Sequence, residues 1–208
     1  MPAEKRIVPD AICLHLAPTG ERFVRVQLFA KEHGLLSVLK RKSNQKNRFS
    51  IDLFDQGEAH LDLKNGGESQ SGFLNDFFLQ KKRSGLGKSY TALRAASWLS
   101  GLIARNPLHE EINEDLFALL TRALDALDQG QPCYAVMLKT LYIFARDEGY
   151  PILEDWSKRL SPDLYANVSK ILNSPLAQIN LDEDQQQSAY DSLARYIEAH
   201  THIHLPTY

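Results

Sequence analysis

Cysteine is almost missing from this sequence: Cys13 and Cys133 are the only two. They lie far apart, one in a strand-like run and one opening a helix-like run, so neither a disulfide framework nor a cysteine zinc module can be built from them. Long apolar runs are missing too, since none approaches the roughly 18 residues of a membrane span. The Lys5-Arg6 pair has no long apolar segment behind it, so no secretory signal is read there. A reducing, cytoplasmic setting is expected. No Ser/His/Asp order and no acid pair stands out, so no enzyme, cofactor or metal is expected. The segment Gly85-Leu86-Gly87-Lys88-Ser89 looks like the end of a phosphate loop. However, the glycine such a loop needs five residues before Gly87 is Lys82, and a hinge reading is preferred. His200, His202 and His204 are a weak metal set, and a frayed tail is expected instead.

What the chain does have is an uneven charge. Residues 1–83 carry 14 Lys+Arg against 10 Asp+Glu, and the remaining residues carry 10 against 16. Opposite signs in the two parts point to two domains with different partners, 1–83 and 84–208. Five cations, Lys40, Arg41, Lys42, Lys46 and Arg48, fall within nine residues with no acid among them. The stretch reads as a basic loop suited to a polyanion, or as a solvated turn.

Around that loop the pattern is strand-like. Ile7-Val8 with Ala11–Leu16, interrupted by Pro9-Asp10, then Phe23–Phe29 and Leu35–Leu39, give three runs. Ile51–Phe54, Ala59–Leu63 and Phe73–Leu79 give three more. Phe23–Phe29 alternates with period two, as a half-buried strand does. Five or six short strands suggest a small barrel: a five-stranded OB-fold, with an SH3-like barrel as its rival. Beyond Lys81-Lys82-Arg83 the apolar period becomes helical. Leu93, Ala96, Leu99, Leu102 and Ile103 trace one stripe, and Leu116, Leu120, Ala123 and Leu127 trace another. Gly130, Pro132, Gly149 and Ser161-Pro162 punctuate the rest as stops and starts. The expected fold class is α+β, all-β then all-α: a barrel followed by a helical bundle.

Several of these stretches, taken in order, resemble the RecO family of bacterial recombination mediators. Ala11-Ile12-Cys13-Leu14, then Val24–Ala30 and Lys31-Glu32-His33-Gly34-Leu35, are similar to that family's opening strand and its T-x-E-H-G-L turn, with Ala30 where threonine is usual. Lys40–Arg48 and Leu53-Phe54 stand where the family has a basic loop and an L-x-P-F strand. Ala95–Leu99 resembles its A-S-Y-L helix, and Asn113–Leu127 its N-x-x-L-F-x-L-L helix. Gly149-Tyr150-Pro151 is similar to its G-Y-x-P corner. Many members carry a four-cysteine zinc module after that corner, where this chain reads Ile152-Leu153-Glu154-Asp155-Trp156.

The resemblance implies an N-terminal OB-fold that binds single- and double-stranded DNA and a C-terminal helical domain. It also implies strand annealing without catalysis, and cooperation with RecR and with the acidic C-terminal tail of the single-strand-binding protein. OB-folds hold single strands with a cationic groove and aromatic platforms. The candidate contacts are therefore Arg25, Lys40, Arg41, Lys42, Lys46 and Arg48, with Lys81, Lys82 and Arg83 as a second cluster at the junction. Phe49 is read either as a platform or as core. Five phosphate contacts give a salt slope of about −3.5 on a single strand. The alternative function is a RecO-like protein-interaction adaptor that no longer binds DNA.

Overall fold

The structure, a computed structural model, describes residues 4–42, 50–63, 71–106 and 113–207, with the backbone alone at 71 and 113. Among these residues are five strands followed by six α-helices, a sheet-then-helix α+β layout. None of the described helices is long and apolar enough to cross a membrane. The chain divides into two compact units: Met1–Arg83 with Pro107–Ala118, and Ser84–Asn106 with Leu119–Tyr208.

In the first unit, β1 (Glu4–Thr19), β2 (Phe23–Ala30), β3 (Gly34–Arg41), β4 (Gln56–Leu63) and β5 (Ser71–Lys81) close into a barrel in the order β1-β2-β3-β5-β4. All pairings are antiparallel except β3 with β5, where Ser37, Val38 and Leu39 run parallel to Ser71, Gly72 and Phe73. β1 serves two neighbours by bending: its register shifts once between Val8 and Ala11 and again between Cys13 and His15. Pro9 falls in the first shift, where an interrupted ladder does not need the N–H that proline lacks. The interruption seen in the sequence is thus a bulge inside one strand. Val26, Leu28, Leu36, Val38, Ala59 and Leu61 fill the barrel. Alternate residues point outward, and Phe29 among them is covered by Phe117 at a ring-centroid distance of 5.7 Å. Gly72 lets β5 approach β4, because a Cβ there would collide with the Asp62 carbonyl.

The expected strand at Ile51–Phe54 is instead a turn, with Phe54 buried at a φ of 66°. Pairing of β1 with β4 ends at Ile12, and this apolar run meets β1 at Cys13 alone before it turns. The turn is pinned at its backbone: Phe54 N–H donates to the Cys13 carbonyl (2.8 Å), and Cys13 N–H to that of Asp55 (2.9 Å). Asp52 N–H donates to the Asp55 carboxylate (2.8 Å). Arg83, buried, donates to the Phe54 carbonyl and to Gln56 Oε1, each at 2.8 Å. An aromatic residue in the left-handed region costs on the order of 1–3 kcal/mol, which these bonds offset. Burial, reinforced by Asp55 and Asp52, pushes the Cys13 thiol up to about 12, leaving it a core group rather than a nucleophile.

The second unit is helical. α1 (Tyr90–Arg105) is capped by Ser89 and α5 (Pro162–Asn173) by Ser161, and α6 (Glu183–His200) opens with an Asp182–Gln185 capping box. α3 (Cys133–Asp147), the short α4 (Ile152–Trp156) and, from Leu119 onward, α2 (Asn113–Asp128) complete the set. Gly130 and Gly149, both at positive φ, follow α2 and α3 as the sequence suggested. α3 lies against α1 and α6, burying Met137, Leu138, Leu141, Leu193 and Ile197.

The C-terminal residues are not the expected frayed tail. Trp98 Nε1 donates to the Pro206 carbonyl at 3.0 Å. The buried Asn106 amide donates to the His204 carbonyl (3.1 Å) and accepts from His204 N–H (2.8 Å). Ile203, just before these ties, is buried. Replacing Arg83 by Met should lower unfolding free energy by about 2–4 kcal/mol, because a charged hydrogen-bond donor leaves the Phe54 carbonyl buried and unpaired. Urea denaturation checks this, and a change below the error of the measurement would remove Arg83 from the account.

Candidate nucleic-acid interface

Strand register decides which side chains share the outer face of the barrel. Phe23 pairs with Arg41 and Arg25 with Leu39, while Leu39 pairs with Phe73 across the parallel contact. Directly paired residues point the same way. Arg25, Arg41, Leu39 and both phenylalanines therefore emerge together. All of these but Arg25 border a groove of about 460 Å³ lined by Arg22, Phe23, Leu39, Lys40, Arg41, Phe73, Leu74 and Asn75. Among the described residues no acid lines it. The Phe23 and Phe73 rings stand 6.0 Å apart, tilted by 51°. Asn75 is the extra residue where the β4–β5 register shifts between His60 and Leu61, and such bulges re-aim side chains.

The rim is fastened by its backbone. Lys42 N–H donates to the Arg22 carbonyl (2.8 Å), and Lys42 Nζ donates to the Gly20 carbonyl (3.1 Å). Arg22 and Arg41 are thereby held beside each other at the ends of paired strands. The carboxylate adjoining this face is Asp62, which pairs with Phe73 from the β4 side and has a buried Oδ1 without a hydrogen-bond partner. A phosphate chain is consequently favoured on the β2–β3 side and disfavoured on the β4 side.

Of the residues expected from sequence, Lys40 and Arg41 line the groove, Arg25 shares its face by register, and Lys42 is fastened beside it to Gly20. Lys46, Arg48 and Phe49 lie outside the described residues. Lys81, Lys82 and Arg83 do not join the groove. Lys81 ends β5, about 26 Å along the strand from Phe73 at 3.3 Å per residue. Lys82 is exposed but holds Asp52 at 2.8 Å, and that carboxylate raises its pKa. Arg83 is a correction: its guanidinium is spent inside the first unit on Phe54 and Gln56 and is not presented to a polyanion. Sequence reasoning missed Arg22, Phe23 and Phe73 as groove residues. For Arg22 and Phe23 the signal was available, because residues just after the Gly20 turn sit at the rim of a barrel of this kind, whereas Phe73 arrives through the β3–β5 pairing, which no sequence pattern announces.

The second unit has clefts of its own. One, of about 380 Å³, is lined by Lys139, Tyr142, Ile143, Arg146, Leu153, Trp156, Tyr165 and Leu172 among others. Another, of about 280 Å³, shares Lys139 and Ile143 and adds Arg122 and Leu176. Among the described residues neither lining contains an acid, although the second half of the sequence is net acidic and Arg146 is paired with Asp147 at 2.8 Å. The Lys139 ammonium donates to the carbonyls of Leu172 (3.3 Å) and Ser174 (2.7 Å), closing the end of α5, and burial lowers its pKa.

The phosphate-loop look-alike is already filled. Asp128 Oδ1 accepts from Gly85 N–H (2.6 Å) and Leu86 N–H (3.2 Å), so the amides an anion would use are occupied. Among the histidines, His200 stacks on Tyr196 with ring centroids 4.7 Å apart, and His204 is tied to Asn106. Among the described residues no group of three His, Cys, Asp or Glu is placed to hold a metal ion. Neither a protein-family model nor a curated protein matches the chain.

Gly85→Ala should destabilise the second unit, because the added Cβ meets the Asp128 backbone, whereas Gly87→Ala has open space and should be neutral. Asp128→Ala should cost about 1–2 kcal/mol through two unsatisfied amides. Thermal melts of the three variants test the set, and equal melting temperatures for Gly85→Ala and Gly87→Ala would contradict it.

Proposed function

We propose that this protein is a non-enzymatic DNA-binding mediator of recombination and repair, a divergent RecO-like protein without the zinc module. Its barrel is read as an OB-fold. Three things support the reading: the order β1-β2-β3-β5-β4, the parallel β3–β5 closure, and the ordered resemblance of the sequence. The face around strands 2 and 3 is where OB-folds take their ligands. The observation that carries the functional reading is the groove at that face, where Arg22, Lys40 and Arg41 surround Phe23 and Phe73 and Arg25 stands alongside. Cations there neutralise phosphates of single strands and of duplex alike, since phosphates carry no base information.

The helical unit is read as the protein-docking part. Clefts with apolar walls and Arg122, Lys139 and Arg146 at their edges suit the acidic, apolar-ended tail of the single-strand-binding protein. RecR is the second partner that the resemblance implies. Where the family has its cysteine module, this chain forms α4, which buries Ile152 and Trp156 and sets Trp156 Nε1 on Ser192 Oγ at 3.1 Å. Apolar anchoring takes the place of metal there.

One observation favours the adaptor reading: Arg83 and Lys82 are committed to internal partners, which thins the cationic surface. Fluorescence anisotropy with labelled single-stranded DNA separates the two. Four phosphate contacts give a salt slope of about −2.8, a loss of about fiftyfold between 50 and 200 mM salt. Arg22→Ala/Lys40→Ala/Arg41→Ala should reduce that slope by about 2 and weaken all sequences equally. Wild-type protein that shows no salt-sensitive binding below about 10 µM would leave the adaptor standing. For the clefts, Arg122→Glu/Arg146→Glu should weaken binding of an acidic, Phe-ended peptide by about tenfold or more in calorimetry, through charge reversal at a partly desolvated edge. An unchanged affinity moves the docking site elsewhere.

A further inference from the structure

We propose that the β2–β3–β5 groove takes an unpaired nucleobase, with Phe73 as its stacking platform, so that the barrel distinguishes single strands from duplex. This rests on the DNA-binding reading and names what part of the DNA enters the groove. Phe73 lies in a strand paired on both sides, yet its side chain is 37% exposed on the groove wall. Its ring is tilted by 51° to that of Phe23 rather than stacked on it, so neither ring covers the other's face. A space of about 460 Å³ falls within the range of small-ligand sites. Leu39 gives it an apolar floor, and the Asn75 amide offers a donor and an acceptor at its edge.

Exposure alone does not select this site. Phe78 is more exposed, at 54%, but it pairs with Glu58 and leans on His60, whose own cross-strand partner is Asp76. Phosphates attached to a base there would meet carboxylates. Beside Phe73 the charges are instead sorted by side, with Arg22 and Arg41 toward β2–β3 and Asp62 toward β4. A nucleotide is thereby oriented with its phosphate over the arginines and its base over the ring. A base within duplex is stacked on both faces and cannot enter without being flipped, which costs a few kcal/mol.

The test compares three labelled ligands of matched length in anisotropy titrations at two salt concentrations: a single strand, the same backbone with abasic sites, and a duplex. The natural single strand should bind about tenfold or more tightly than its abasic counterpart, the size of one base–aromatic stack. Phe73→Ala should erase that preference while leaving the salt slope intact, and Phe73→Leu, which keeps an apolar side chain should alanine fail to fold, should do the same. Equal, salt-sensitive binding of the natural and abasic strands by wild-type protein would overturn the stacking proposal and leave the DNA-binding reading in place. Absence of binding to all three at both salts would overturn the DNA-binding reading and this proposal with it.

Discussion

Three residue pairs decide what the barrel can present. Ser37, Val38 and Leu39 meet Ser71, Gly72 and Phe73 in the one parallel contact among the described residues of the sheet. Without it the five strands would form an open sheet with two exposed edges, and Phe73 would stand apart from β2 and β3. The contact is short, and parallel pairing is the weaker kind per residue. It therefore depends on what lies behind it: Val38, Leu36 and Leu74 are buried in the barrel interior, and Gly72 permits close approach of β4 on the other side. Packing inside the barrel thus fixes the geometry of a groove outside it. The spacing between Phe73, Leu39 and Arg41 is set by core residues that touch no ligand.

The strands of the barrel were mostly legible because their burial alternates with period two. Where the reading failed, at Ile51–Phe54, it failed for a stateable reason. The run meets the Cys13 backbone of β1 and then turns at the positive φ of Phe54, and apolarity along the sequence does not show where a chain turns. The cations show the same limit in electrostatic form. Lys81-Lys82-Arg83 is as dense a basic triplet as Lys40-Arg41-Lys42, yet the first is divided among a strand end, an ion pair and a buried clamp. The second remains at one rim, with Lys42 fastened beside Arg22. Charge clustering in sequence measures proximity along the chain, whereas a polyanion senses direction and competition from local acceptors.

In the helical unit, starts and stops were readable because capping is local chemistry. Ser161-Pro162 and the glycines after α2 and α3 act within a few residues of themselves. The docked C-terminal residues were not readable, since their partners are Trp98 and Asn106, about half the chain away. A buried asparagine that offers both a donor and an acceptor can hold an irregular segment as a strand neighbour would, and no periodicity announces it. The Gly85–Ser89 segment was rejected as a phosphate loop on spacing alone, and the structure supplies a second, independent reason in the Asp128 carboxylate.

The proposed division of labour in the groove bears on how such a protein could assist annealing. A binder that held bases by their hydrogen-bonding edges would compete with the complementary strand. Neutralised phosphates and a base stacked by its face leave that edge open, and they also lower the repulsion that a second strand meets on approach. The arrangement of Arg22, Arg41 and Phe73 is of this second kind: it contains cations and rings, with Asn75 as a lone amide at its margin. On the proposed reading, a single amide would not match the several donors and acceptors of a complementary base, so exchange toward duplex would remain downhill once a partner strand arrived. Strong edge-reading would improve affinity for one sequence and oppose release of every sequence. A weakly specific groove is accordingly the form that binding must take if the strand is to be handed on.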